Sequence, residues 1–104
     1  MSFWTKLNPE FSRRFYALLT AASAEGIDIW VTSGYRSRAH QKRLYDRWKA
    51  GKSRLPAAPP GKSNHERGRA ADLVASDLQR VVAIARKLGL RWAGEKDPVH
   101  FELQ

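Results

Sequence analysis

The sequence predicts an α+β fold: a small, largely antiparallel sheet packed against about three helices, in a single domain over residues 1–104. Segments of helical and strand periodicity follow one another in the order α, β, α, loop, β, α, β. A chain of 104 residues suffices for one hydrophobic core and is too short for two. With 42% hydrophobic and 28% charged residues, the composition is globular rather than disordered.

The first helix is expected from about Pro9 to Glu25. Asn8 suits an N-cap and Pro9 the first helical position, while Phe11, Phe15, Leu18, Leu19 and Ala22 recur at helical spacing before a stop at Gly26. Ile27, Ile29 and Val31 then alternate with Asp28, Trp30 and Thr32, the period of a strand with one face in the core. A second helix should start at Ser37, carry Leu44, Tyr45 and Trp48 on one face and a basic opposite face, and stop at Gly51. The segment 51–61 holds three prolines and no sustained period, so it reads as a surface loop, of a length often tied to function. Ala70 to Val74 reads as a strand. Ser76-Asp77-Leu78-Gln79 reads as a capping box opening a third helix, with Leu78, Val81, Val82, Ala85 and Leu88 as its buried stripe before Gly89. Val99 to Leu103 alternates as a last strand, and the four tryptophans, Trp4, Trp30, Trp48 and Trp92, are expected in the core or at its rim.

Nineteen Lys and Arg against ten Asp and Glu give a formal charge of +9, which draws a protein towards nucleic acid, anionic membrane or anionic cell wall. The absence of cysteine excludes disulfides and thiolate zinc fingers, so a metal must be held by His, Asp or Glu. No apolar run approaches the roughly 20 residues that span a bilayer. The first nine residues lack the apolar run of a signal peptide, which predicts synthesis in the cytoplasm and another route to any outside target.

Chemistry concentrates in Ser63-Asn64-His65-Glu66-Arg67-Gly68-Arg69-Ala70-Ala71-Asp72. Asp72 lies in an otherwise apolar strand, where a carboxylate is costly without a cation or several hydrogen bonds. A zinc ion meets that need, the turn at Gly68 lets His65 converge with Asp72, and His100 supplies a third ligand from the last strand. Two imidazoles and a carboxylate leave one tetrahedral position for a water whose pKa zinc brings towards ~7, the pattern of a catalytic site. Asp97 is the candidate general base, turned towards the metal by Pro98, with Glu66, Glu95 and Glu102 as competitors. In Ser33-Gly34-Tyr35-Arg36-Ser37, Arg36 presents a fixed cation suited to a carbonyl, its oxyanion or a substrate carboxylate. Ser33, Tyr35, Gln41, Ser63 and Trp92 are candidate substrate-binding residues around it.

The pattern Ser-x-His-x-x-Gly-x-Ala-x-Asp at 63–72, the Ser-Gly-Tyr-Arg-Ser run at 33–37 and Asp97-x-x-His100-Phe101 together resemble the peptidase M15 family. That resemblance implies one zinc ion on His65, Asp72 and His100, Asp97 as base, and Arg36 as the oxyanion-stabilising or substrate-binding arginine. It implies hydrolysis of peptidoglycan stem peptides, of the L-alanyl-D-glutamate endopeptidase or D-alanyl-D-alanine carboxypeptidase type, as in phage endolysins. The endopeptidase branch usually carries Trp-Gly-Gly-Asp-Trp and a longer spacer, where this chain has Trp92-Ala93-Gly94-Glu95-Lys96, which leaves the scissile bond open. The expected protein is a monomer drawn to the anionic wall by its charge and reaching it through a membrane pore or in a virion. The rival readings are a basic nucleic-acid-binding module, and a zinc-containing wall-binding domain without catalysis.

Overall fold

The computed structural model describes residues 3–104. Residues 1 and 2, which the expected domain and the leader reading include, lie outside the described residues. The elements are α1 (Pro9–Ala24), β1 (Ile29–Ser33), α2 (Arg38–Lys49), β2 (Ala70–Ala75), α3 (Leu78–Lys87), β3 (Leu90–Trp92) and β4 (His100–Leu103), with short 3-10 helices at Phe3–Lys6 and Asn64–Arg67. The strands form one antiparallel sheet in the order β1-β2-β4-β3, so the α+β expectation is met.

Helix α1 starts where the sequence places it. The Asn8 side chain accepts from the amides of Glu10 and Phe11, two donors the helix cannot satisfy itself, and Pro9 occupies the first turn. Its stripe of Phe11, Phe15, Leu18 and Ala22 is buried against Val81, Val82 and Ala85 of α3 and against Leu73 and Phe101 of the sheet. Fully burying one such side chain stabilises the fold by about 1.5–3 kcal/mol. Helices α1 and α3 thus cover one face of the sheet, the face of Ala71, Leu73 and Phe101.

The other face has no such cover, and period two assigns it Trp30, Asp72, Val74, His100 and Glu102. Trp30 and its cross-strand partner Val74 are 59% and 43% exposed, which corrects the expectation of four core or rim tryptophans. Val31 also differs from expectation: β1 is an edge strand, and Val31 stays 37% exposed while Ile27 and Ile29 pack on the core.

Helix α2 begins at Arg38, one residue after the expected start, with Ser37 as its cap, the Ser37 hydroxyl accepting from the His40 amide. It adds nothing to the core cluster: Gln41 is its one buried residue, and Leu44, Tyr45 and Trp48 are half-buried. The start of α3 falls one residue later than the expected capping box. Asp77 caps it by accepting from the Arg80 amide, because Ser76 is taken up by Asp28, the residue before β1, its hydroxyl accepting from the Asp28 amide. Strand β3 was not foreseen, since three residues are too few for alternation to show.

Candidate metal centre

Asp72 and His100 are cross-strand partners on β2 and β4, which sets their side chains beside each other on the open face. His65 comes from the Asn64–Arg67 turn and is 3% exposed. That turn is fixed by a capping box in which the Ser63 hydroxyl accepts from the His65 amide and the Glu66 carboxylate accepts from the amides of Ser63 and Gly61. Gly68 ends it with φ +70°, so that Ala70 can enter β2 at once. A Cβ on Gly68 would lie 2.6 Å from the Lys6 carbonyl oxygen, so the position is closed to side chains twice over.

Hydrogen bonds define which nitrogen each imidazole offers. His65 Nδ1 lies 2.8 Å from the Gly34 carbonyl oxygen, which can only accept, so the proton sits on Nδ1 and the lone pair on Nε2. His100 Nε2 lies 2.7 Å from Glu102 Oε1, which places the lone pair of that ring on Nδ1. These two lone-pair nitrogens are 3.2 Å apart, and Asp72 Oδ1 is 3.2 Å from His65 Nε2 and 3.3 Å from His100 Nδ1. Asp72 Oδ1 is buried and has no hydrogen-bond partner. Three acceptors facing one another call for a cation between them. A tetrahedral ion with bonds of roughly 2.0–2.1 Å sets its ligands about 3.3 Å apart, so the separations and the donor chemistry both fit zinc. Among the described residues this is the one such group of His and acid side chains.

The second carboxylate oxygen of Asp72 accepts from Arg36 Nη2 at 2.8 Å. Burial disfavours the Asp72 carboxylate, but hydrogen bonds from His100 and His65 when these rings are protonated in place of a bound cation, together with the Arg36 charge, outweigh it and hold the group far below the usual range. Arg36 is itself held, with Nε donating to Ser33 Oγ at 3.0 Å and Nη1 to Gln41 Oε1 at 3.2 Å, while Gln41 Nε2 donates to the Ala58 carbonyl. Three of the five guanidinium N–H groups are engaged in this way.

Of the four acids weighed as a base, the structure brings Asp97 to the centre, with Oδ2 4.0 Å from His100 Nδ1 and the side chain half-exposed. Burial raises its affinity for a proton, which the charge on His100 opposes when that ring is protonated, and the Asp72 charge adds to the rise. The other three are elsewhere: Glu66 is consumed by the capping box, Glu102 orients His100, and Glu95 lines a different groove. A cleft of about 450 Å³ opens over the centre, walled by Arg36, Gln41, Ser63, Leu55, Asp97 and the 56–58 backbone segment. The proline-rich loop is therefore one wall of the cleft.

Of the expected substrate-binding positions, Gln41 and Ser63 wall the cleft, whereas Trp92, Ser33 and Tyr35 do not line it. Trp92 pairs with Phe101 on the covered face, donates its Nε1–H to the Pro98 carbonyl and lines the groove beside α3, not this cleft. Ser33 braces Arg36, Gln41 braces it too while walling the cleft, and Tyr35 lies under the Lys6 ammonium at 5.6 Å and outside the cleft lining. Two contributors were not foreseen: the Gly34 carbonyl, which carries no side-chain signal, and Glu102 as partner of His100, which the period-two spacing could have suggested.

The model of a protein family described as VanY, D-alanyl-D-alanine carboxypeptidase, matches residues 4–97. The peptidoglycan L-alanyl-D-glutamate endopeptidase CwlK of Bacillus subtilis is 31% identical over 122 residues, covering 93% of this chain and 73% of CwlK. Among solved structures, a vancomycin-resistance D,D-pentapeptidase VanY in complex with Zn(II) superposes with a TM-score of 0.75 at 22% identity, covering 93% of this chain and 72% of that one. The L-Ala D-Glu endopeptidase ChiX of Serratia marcescens gives 0.71 at 23% identity, covering 97% and 83%. Both share the fold. With a family model spanning nearly all of the described chain, and motifs 33–37, 63–72 and 97–101 meeting at one centre, this chain belongs to the VanY family of peptidase M15.

Proposed function

We propose that this protein is a zinc-dependent peptidoglycan peptidase that cleaves a stem-peptide bond. The observation that carries the reading is the convergence of His65 Nε2, Asp72 Oδ1 and His100 Nδ1 within 3.3 Å of one another, with Asp72 Oδ1 otherwise unpartnered. These three atoms would hold the ion. Bound there, zinc supplies a Lewis acid and lowers the pKa of water to about 7. Asp97 receives the proton of the attacking water on its carboxylate and passes it to the departing amine nitrogen. Arg36 keeps Asp72 ionised and oriented, and its two uncommitted N–H groups can meet the carbonyl oxygen of the scissile bond. Gln41 and the 56–58 segment wall the cleft that receives the peptide.

The likeness to CwlK supports cleavage between L-alanine and D-glutamate. Removal of a terminal D-alanine is the second reading, favoured by the family model. A lytic, endolysin-type role agrees with the first reading alone, because trimming a terminal D-alanine leaves the network intact. Purified cell walls incubated with the protein, with the chelated protein, and with chelated protein given zinc again provide the test. Release of new amino groups or of free D-alanine that stops on chelation and returns with zinc supports the proposal, and mass spectrometry of the products assigns the bond. Undiminished hydrolysis by protein shown to be metal-free refutes it.

A further inference from the structure

The positive charge of this chain is concentrated. Residues 38–54 hold seven Lys and Arg against Asp46 alone, +6 of the chain's +9. This stretch is α2 and the start of the loop that walls the cleft.

Two further observations separate it from an ordinary solvated helix face. Of the five basic residues on the core helices, three have internal partners: Arg13 and Arg14 pair with Glu10, and Arg80 pairs with Glu25, while Arg86 and Lys87 in the last turn of α3 have none among the described residues. In 38–54, only Lys42 has an ion pair, with Asp46, whereas Arg38, Arg43, Arg47, Lys49, Lys52 and Arg54 have none among the described residues. In addition, α2 gives the hydrophobic core no residue, so neither core packing nor internal ion pairing accounts for these cations. Four of the six are arginines, whose planar forks match phosphate oxygens in pairs.

We propose that α2 and the following loop form a docking surface for an anionic phosphodiester polymer of the cell wall, holding the enzyme with its cleft against the peptide network. The choice of a wall polymer rests on the peptidase reading, whereas the surface and its phosphodiester chemistry rest on the charge distribution. Such an interaction is dominated by counterion release, so it weakens steeply with salt and scales with the number of contacts.

The variant R43Q/K49Q/K52Q/R54Q removes four exposed cations without touching the metal group, Arg36 or Gln41. Co-sedimentation is measured for wild type and variant over a salt series, on walls retaining their polyol-phosphate polymers and on walls extracted of them. Circular dichroism confirms that the variant is folded. Expected is an affinity for intact walls at least about tenfold lower in the variant at low salt, and a log–log salt dependence shallower by about 3. Wild type should lose the same affinity on extracted walls, and both proteins should hydrolyse a soluble stem peptide equally. Equal wall binding by variant and wild type overturns the docking surface. Undiminished wild-type binding to extracted walls overturns the phosphodiester assignment, as does tighter binding to duplex DNA than to intact walls at matched salt. Because binding is read without turnover, loss of the peptidase reading would show separately, as absence of hydrolysis by a protein that still sediments with walls.

Discussion

Asp97 and Glu102 sit on either side of His100, and their partners separate their tasks. Glu102 contacts the outer nitrogen of the ring, Nε2, and Asp97 lies 4.0 Å from the inner one, Nδ1. If Asp97 moves the proton, Asp97→Asn should keep stoichiometric zinc while kcat/KM falls by about 10²–10⁴. Metal analysis and peptide hydrolysis on one preparation check this, and wild-type turnover would reassign the base. Glu102→Ala removes the acceptor that fixes the His100 tautomer, so zinc affinity should drop about 10–100-fold in a chelator-competition titration. An unchanged affinity would show that the contact orients nothing. The three candidate ligands were legible in the sequence because each is chemically out of place: an acid in an apolar strand, and histidines at turn and strand positions. Their supports were harder to read. The Gly34 carbonyl is backbone, and Arg36, whose fork was read for its approach to substrate, also braces Asp72 across 36 residues of sequence.

Among the elements, the turn from Ser63 to Gly68 carries the most consequence for its size, because it delivers His65 to two strands that already hold Asp72 and His100. Its geometry depends on Gly68, whose amide bonds the His65 carbonyl and whose carbonyl accepts from the Asn8 amide. Gly68→Ala combines a left-handed backbone with a Cβ 2.6 Å from the Lys6 carbonyl, a main-chain atom that cannot swing aside. We expect a loss of about 2–3 kcal/mol in urea unfolding, and a melting profile equal to wild type would contradict the close approach. Local chemistry explains which elements the sequence disclosed. Helix α1 has a cap, a proline and a five-residue stripe that agree with one another. Ser76 and Asp77 are both competent caps, and only the pairing of Ser76 with Asp28 across 48 residues decides between them. The Ser63–Glu66 capping box carries its signature in the sequence as Ser-x-x-Glu.

At the scale of the molecule, the sheet divides the labour. One face is covered by α1 and α3 and supplies the core, while the open face carries the candidate metal group, with ligands from the turn at His65, from β2 and from β4. The sheet order was not legible in the sequence, because the central placement of β2 and β4 depends on which strands find partners, a non-local choice. That placement links metal binding to folding. Positions 65 and 100 are brought to 3.2 Å, and without an ion the two lone pairs and Asp72 Oδ1 face one another at a cost to the folded state only. Zinc should therefore stabilise the whole domain, by about 2.7 kcal/mol when free ion is at 100 times its Kd. For a domain near 100 residues this is a rise in Tm of roughly 10–20 °C. Wild type should melt at the lower temperature in excess chelator and recover with zinc. Asp72→Ala, lacking the shared oxygen, should melt at one temperature in both conditions. Coincident wild-type melting curves with chelator and with zinc would mean that the three side chains hold no ion, and the proposed chemistry would fall with them.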